Sequence, residues 1–493
     1  MRLTGKENDV SFLSLYLLRK MKISKLGIKT VRIKELDENY PAQDILLQSG
    51  QLLQYASGIY GYNNVPLKVK QKIEQIVREE LEKAGCVEVE LPTLQPREIW
   101  EKSGRWEKYT ENGTMMSVHT EKGDFGLAPT AEEAIVEFAR EQIASHKKLP
   151  VTYYQIGEKY RNELRNRGCL LRGKSFLMMD AYSFNKGKED LQETYEKIKQ
   201  AYLRIFKRLG LEVVPVAAQS GDIGGDKSEE FMVLADIGED TILVDKQNQK
   251  GFNVEVQERP GYEVYLKEEC GIENPEALQR KKAIELGHIF QLDTKYSNAM
   301  GANYIDSENR QVPYFMGCYG IGVSRTLATI YEKSLVRDEK GKPAISLPIG
   351  VAPYLLHIVA SGEEREKTAE CLYEVLKDHG IDTIYDDRKK ESIGNKIGDW
   401  KVLGTPYIGI LGNRINKDEI EVQNLATGES MTLKIVDLIK ALKKLERDRK
   451  KNPNARLSDY VAQEQQKIKC TETAEGIKTS NGVNEQLVEE FSL

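Results

Sequence analysis

The chain is predicted to be an α+β protein, with a largely antiparallel sheet flanked by helices and a small α/β domain after it. Three observations carry the prediction. Strand-like segments in the first two thirds come in runs, with helices interleaved irregularly instead of in regular βαβ alternation. Residues 333–350 (KSLVRDEKGKPAISLPIG) then shift to the composition of a linker. Beyond them strand and helix alternate over about a hundred residues, the size of one small domain.

Length and charge bound the rest. At 493 residues the chain exceeds one compact core, and two to four domains follow at ~100–200 residues each. Hydrophobic residues at 40% and charged residues at 30% describe a soluble globular chain, and exclude a membrane bundle, a collagen-like fibre and a wholly disordered protein. The net charge of -5, from 72 basic and 77 acidic residues, excludes a uniformly basic nucleic-acid binder but allows a local basic patch. The six cysteines are scattered without a CxxC pair, which points to a reduced compartment and away from structural zinc.

Residues 1–40 read as a leader. Its apolar run, Val10 to Leu18, is too short to span a bilayer and lacks a cleavage site, so no secretory signal or membrane segment is expected. The first folded domain covers 41–345. A helix over 67–84 places Val69, Ile73, Ile76, Val77, Leu81 and Ala84 on one face and ends at Gly85. Residues 87–91 alternate as a strand stopped by Pro92, and 131–145 form a second helix. Strands 151–157 and 176–184 flank a basic loop, and 189–209 is a third helix. The α/β domain, 346–446, reads as strands 355–360, 381–385 and 406–411, helices 363–379 and 394–403, and a Lys-rich helix over 434–451. The polar stretch 447–493 is expected to be a flexible tail.

Two motifs carry chemistry. Tyr160-Arg161-Asn162-Glu163 leads into a loop with Arg165, Arg167 and Arg172, then Phe176. Arginine can fork onto a phosphate, glutamate can accept from an adenine amino group, and phenylalanine can stack on a base. Taken alone, this is an ordinary surface hairpin with solvated charges. The second motif, Gly317-Cys318-Tyr319-Gly320-Ile321-Gly322-Val323-Ser324-Arg325, runs into an apolar helix. Its glycines let a strand approach a ligand closely, and Arg325 at a helix start can reach phosphate oxygens. The two motifs in this order, with an arginine in each, point to a nucleotide site.

With Pro92 after a long helix, the three elements resemble motifs 1, 2 and 3 of class II aminoacyl-tRNA synthetases. LPTLQPREIWEKSGRWEKY (91–109), APTAEEA (128–134), KLPVTYYQIGEKYRNE (148–163), FLMMDAYSF (176–184), GHIFQLDTKYS (287–297), MGCYGIGVSR (316–325) and ASGIY (56–60) resemble the bacterial-type prolyl-tRNA synthetase family, over roughly residues 40–446. The resemblance implies a class II antiparallel catalytic domain and an anticodon-binding α/β domain. It implies ATP-dependent ligation of proline to tRNA(Pro) through a prolyl-adenylate, in a cytoplasmic homodimer whose interface runs through 67–109. Arg161 would hold the α-phosphate of ATP, Glu163 would read adenine, Phe176 would stack on it, and Arg325 would grip the γ-phosphate, with Arg172 nearby. Magnesium ions would bridge the phosphates, with no ligands assigned. Thr130 and Glu132 match the element that receives the amino group, while Cys318, Gly320 and His288 would border the proline pocket. Arg165 and Arg167 would meet the acceptor end of tRNA. Asp387-Arg388, Gly394-x-Lys396 and Lys401 match the anticodon-domain signature, so Arg388 and Lys396 would contact tRNA.

The chain also departs from that family. In place of a domain-sized editing insertion it has a short remnant, 252–284, so hydrolytic editing in cis is not expected. Motif 2 reads YRNE for FRDE and RNRGC (165–169) for RPRFG. Asp293 replaces a glycine bordering the pocket, and a local pair with Lys295 on the same strand face is expected for it. Three readings follow: a housekeeping synthetase, a specialised paralogue activating proline or an analogue (inhibitor-resistant or carrier-loading), or a non-catalytic RNA-binding relative.

Overall fold

The computed structural model describes residues 22–27, 33–221, 223–225, 227–245, 250–268 and 270–474. In chain order, the elements that position the site are the hairpin β1 (Leu52–Ala56) and β2 (Ile59–Tyr62), helix α1 (Asn64–Lys83), helix α2 (Glu132–Gln142), strands β3 (Val151–Tyr160) and β4 (Ser175–Asn185), helix α3 (Lys188–Arg208), strands β5 (Gln279–Asp293) and β6 (Phe315–Gly322), and helix α4 (Val323–Lys333).

Helix α1 forms because Val65, Val69, Ile73, Ile76, Val77 and Leu81 recur at helical spacing and are all buried. The Asn63 side chain caps its start, and Gly85, with φ +75°, ends it. The same spacing buries Tyr195, Ile198, Tyr202, Ile205 and Phe206 along α3. Helices α1, α3 and α4 cover one face of the sheet in a single core with Tyr154, Met179, Ile289 and Tyr319. Helix α2 covers the other face over Tyr182, Phe290, Met316 and Cys318. With both faces covered, β4 is apolar along most of its length instead of alternating.

Among the described residues the central sheet has nine strands, and β5-β6-β4-β3 are consecutive neighbours in it, all three of those pairings antiparallel. The short strand Val87–Glu88 extends it in parallel beside β3. On the far side, strands Lys227–Leu234, Val214–Ala217, Lys250–Asn253 and Asp240–Asp245 run round to β5, and the first of them pairs with β5 again. Five strands thereby close on themselves around Val216, Met232, Ile242, Val244 and Ala283.

The second domain is a five-stranded sheet ordered Thr383–Tyr385, Leu356–Ala360, Tyr407–Leu411, Glu419–Asn424, Ser430–Lys434. Its first three strands are parallel, as their connecting helices Glu363–Asp378 and Ile393–Leu403 require. The hairpin 419–434 is absent from the elements read from sequence, although Ile420 and Val422 alternate with polar residues.

Several boundaries differ from the sequence reading. The strand 87–91 is only two residues long, because the Leu91 amide donates to the Gln155 side chain (3.1 Å) and leaves the ladder. The tail is not wholly flexible, since Leu457–Ala474 is a helix. Ala455, Leu457 and Val461 are buried in the core of the second domain, and Lys444 pairs with Glu464. Three apolar residues in a polar stretch gave the sequence too weak a period to read. The leader also contributes. Ile23 and Leu26 are buried with Val65 of the first domain and Tyr354, Ile384 and Leu403 at and beyond the linker. The run Val10–Leu18 lies outside the described residues. The remnant read at 252–284 shares its last residues with β5, and its own core is Phe252, Val256, Tyr265, Leu266 and Ile272.

His357 stands fully buried in the middle of the second sheet, 4.0 Å from Asp386, with Arg388 and Lys396 also facing it. Burial pushes its pKa down to about 4, against Asp386, which pulls the other way. The unfolded chain therefore takes up a proton at His357 before the folded chain does. This stabilisation is complete above the unfolded value of about 6.5 and is lost as pH falls toward 4. Denaturant titrations between pH 7.5 and 4.5 should show wild type losing ~2–3 kcal/mol more than His357→Leu. Parallel losses in the two proteins would contradict the assignment.

Candidate functional site

The register of three strands builds the site. His288 on β5 pairs with Gly320 on β6, which pairs with Asp180 on β4. Two residues along, Phe290, Cys318 and Tyr182 form the next row. These rows floor a cleft of about 930 Å³, partly open to solvent, lined also by Thr130, Arg161, Glu163, Arg172, Phe176 and Arg325. A side chain at Gly320 would collide with Met178, so glycine keeps this floor low.

At one end stand the arginines. Arg161 leaves β3 with its amide on the Lys174 carbonyl (3.0 Å), its Nε on the Pro129 carbonyl (3.2 Å), and its guanidinium 5.2 Å over the Phe176 ring. The loop between β3 and β4 is braced by the β1–β2 turn. Lys174 N donates to Gly58 O (2.8 Å) and Asn166 to Ser57 Oγ (2.9 Å). Gly58 has φ +79°, and a Cβ there would strike Asn166, which explains the glycine of ASGIY. Arg325 donates through Nε to Leu171 O (3.0 Å) and through Nη1 to the Glu285 carbonyl (2.9 Å) and carboxylate (2.8 Å). Arg172 pairs with Glu239 at 2.6 Å, and Arg167 lies 3.9 Å from the same residue. Arg165 is exposed on the loop.

Beside Arg325 lies an acidic group that the sequence reading missed. Glu230, Glu285 and His288 bring one ligand atom each within 4.8 Å of one another. Burial opposes the charge of Glu285, but its hydrogen bond to His288 (3.2 Å) and the charge of Arg325 outweigh it and hold its pKa at about 2. Burial, and then the charge of Glu285, push Asp240 up to about 6 and Glu230 well above the carboxylate range. The His288 ring stacks on Phe290 at 3.8 Å, and its Nε2 finds no partner among the described residues. His288 thus lines the cleft while bonded into its wall.

At the other end, Glu132 is fully buried one layer behind Thr130 and Cys318, which line the cleft. The Thr130 hydroxyl donates to Glu132 Oε2 (2.7 Å), and the Cys318 thiol donates to Oε1 (3.4 Å). Burial raises the thiol well above its usual range, keeping it protonated as that donor. Asp180 accepts from Gln155 (2.9 Å) and Tyr182 (3.2 Å) and pairs with Lys159 at 2.7 Å, both members of that pair being nearly inaccessible.

Two expectations are corrected here. Asp293 does not pair with Lys295. A bulge at the end of β5 puts it at φ +48°, where it pairs with Lys188 (3.1 Å), and Lys295 opens the next short helix and bonds the Ile223 carbonyl (2.7 Å). Strand alternation does not hold across a bulge. Nor does Asp293 line the cleft. In the second domain, Arg388 bonds Asp386 (2.6 Å) and Asp399 (2.7 Å), and Lys396, 3% exposed, donates to the Asp386 carbonyl (3.1 Å). Both organise the loop from within, and Lys389 and Lys390 are the cations it exposes.

Comparison with known proteins fits this geometry. Residues 115–334 match the tRNA synthetase class II core domain (G, H, P, S and T), and residues 356–445 match an anticodon binding domain. A proline–tRNA ligase of Sulfurimonas denitrificans is 37% identical over 447 residues, spanning 85% of this chain and 100% of the relative. One from Bacillus subtilis is 32% identical over 565 residues, spanning 85% of this chain and 99% of the relative. The Bacillus alignment is more than a hundred positions longer over the same share of this chain, as expected if that relative holds an insertion this chain lacks. Among solved structures, a Cryptosporidium parvum prolyl-tRNA synthetase with L-proline and AMP shares the fold at 17% identity and TM-score 0.66, covering 89% of this chain and 83% of its own. Its complex with halofuginone and AMPPNP gives 18% and 0.67, covering 89% and 80%.

The Lys159–Asp180 pair makes a stability prediction. Lys159→Met leaves a buried carboxylate without its counter-charge and should cost ~3–5 kcal/mol in urea unfolding, whereas an exposed ion pair would cost under ~1 kcal/mol.

Proposed function

The chain belongs to the proline–tRNA ligase family of class II aminoacyl-tRNA synthetases, and on that premise we propose how its own residues perform the two-step reaction. It uses ATP to activate proline as an adenylate and transfers it to tRNA. The observation that carries the assignment of roles is that Arg161 and Arg325, from motifs far apart in sequence, enter one cleft with Phe176 and Glu163.

Proline enters at the Thr130 end, its ammonium toward Glu132, with Cys318, Tyr182 and Phe290 around the ring. ATP lies toward the arginines, adenine on Phe176 and its amino group at Glu163. The proline carboxylate is ionised at neutral pH and attacks the α-phosphorus without a general base, so catalysis rests on alignment and charge stabilisation. Arg161 is placed for the charge that grows on the α-phosphate, and Arg325, held by Glu285, for the γ-phosphate. Magnesium, if bound, would be held here through Glu285, which lines the cleft, with Glu230 beside it, and would supply charge neutralisation to the phosphates. Arg165 and Arg167 project where an acceptor end would pass. Exposed Val87, Leu94 and Val118 near the 67–109 region support a homodimer built on that face. No helix among the described residues is long and apolar enough to cross a membrane; a cytoplasmic site of action is proposed from the family's role in protein synthesis.

Two measurements test this reading. Proline-dependent exchange of pyrophosphate into ATP should fall by roughly 10²–10³ in Arg161→Ala, the loss typical of one preorganised donor. A near-normal rate would remove Arg161 from its role. Asp293→Gly should leave the preference for proline over azetidine-2-carboxylate and 4-hydroxyproline unchanged, because Asp293 faces Lys188 and not the cleft. A changed preference would favour the specialised-paralogue reading instead.

A further inference from the structure

Arg105 belongs to neither chemical motif, yet it is 5% exposed and sits against the amino-acid end of the cleft. One nitrogen, Nη1, reaches Glu132 Oε2 at 3.0 Å and Glu133 Oε1 at 3.1 Å, and Nη2 bonds the Tyr109 hydroxyl. Its guanidinium lies over Tyr109 (4.4 Å), Trp100 (5.1 Å) and Tyr296 (5.3 Å). We propose that Arg105 is a positioning residue for amino-acid binding: it fixes the Glu132 carboxylate so that Oε1 alone is left for the substrate ammonium, with Glu133 as its second counter-charge.

The hydrogen bonds support this. Glu132 Oε2 already accepts from the side chains of Thr130 and Arg105, whereas the one side chain of the described residues that donates to Oε1 is the Cys318 thiol, a weak donor that a ligand N–H can displace. Thr130 donates its proton to Glu132, so its lone pairs remain for the second N–H of a secondary ammonium. Glu133 is turned away, held by Ser103 (2.6 Å) and by Arg105. One arginine between two buried carboxylates leaves at most one negative charge, which matches one ammonium. Burial, opposed by Arg105, sets Glu133 at about 7, in keeping with a carboxylate that shares its counter-charge.

The proposal rests on the proline-activating reading, and the experiment separates the two. Wild type without proline-dependent exchange would overturn that reading itself. With exchange present, Arg105→Gln should raise the KM for proline by about 10–100-fold while the KM for ATP moves less than about twofold. Arg105→Lys keeps the charge but not the fork, and should raise the KM for proline by at least about fivefold. If Arg105→Gln does not fold, the lysine variant carries the test. The double variant Arg105→Gln/Glu133→Gln removes the excess buried charge, so its thermal midpoint should recover toward wild type while its KM for proline stays raised. An unchanged KM in the lysine variant, equal rises for proline and ATP, or a normal KM for proline in the double variant would overturn the positioning role.

Discussion

The cleft depends on the register of β5, β6 and β4. Because Gly320 pairs with both His288 and Asp180, and Cys318 with both Phe290 and Tyr182, residues from three distant segments form two rows on one surface. A slip of one residue would turn every one of these side chains to the face covered by α1, α3 and α4. The register is protected by burial on both faces, with α1, α3 and α4 on one side and α2 on the other. Arg325 gains its position the same way, since α4 begins at Val323 directly after β6 ends at Gly322.

Ion pairs then fix the charged side chains at both ends of the cleft. At one end Arg161, Arg172 and Arg325 stand among carboxylates, with Glu239 and Glu285 holding two of them in place. At the other end two buried carboxylates share one buried arginine.

Much of this was legible in the sequence, and the limits have physical causes. Arg161, Glu163, Phe176 and Arg325 could be read because their motifs combine unusual residue types at fixed spacing, and the cleft does gather them. Helices α1 and α3 could be read because a long apolar period leaves little choice. Glu230, Glu285, Lys159 and Arg105 could not, since a charged residue on a strand or loop looks the same in sequence whether it faces solvent or a buried partner. That ambiguity also misplaced Arg388 and Lys396, whose signature is real but whose charges turn inward to Asp386 and Asp399. Asp293 failed for a different reason, because its expected partner assumed a regular strand where the chain bulges.

The same principle governs how the two domains meet. Lys401 reaches back to Asp338 (2.8 Å) and Glu339 (2.7 Å), and Asp382 accepts from Lys72 of α1 (3.1 Å) and from Arg449 (2.8 Å). Gln51 donates to the Val402 carbonyl (2.8 Å), and Ile23 and Leu26 fill the space between Val65 and Leu403. Apart from the exposed Lys401–Glu339 pair these contacts are at least partly buried, and they join elements on both sides of the linker at several separated points. A hinge would have to break all of them together.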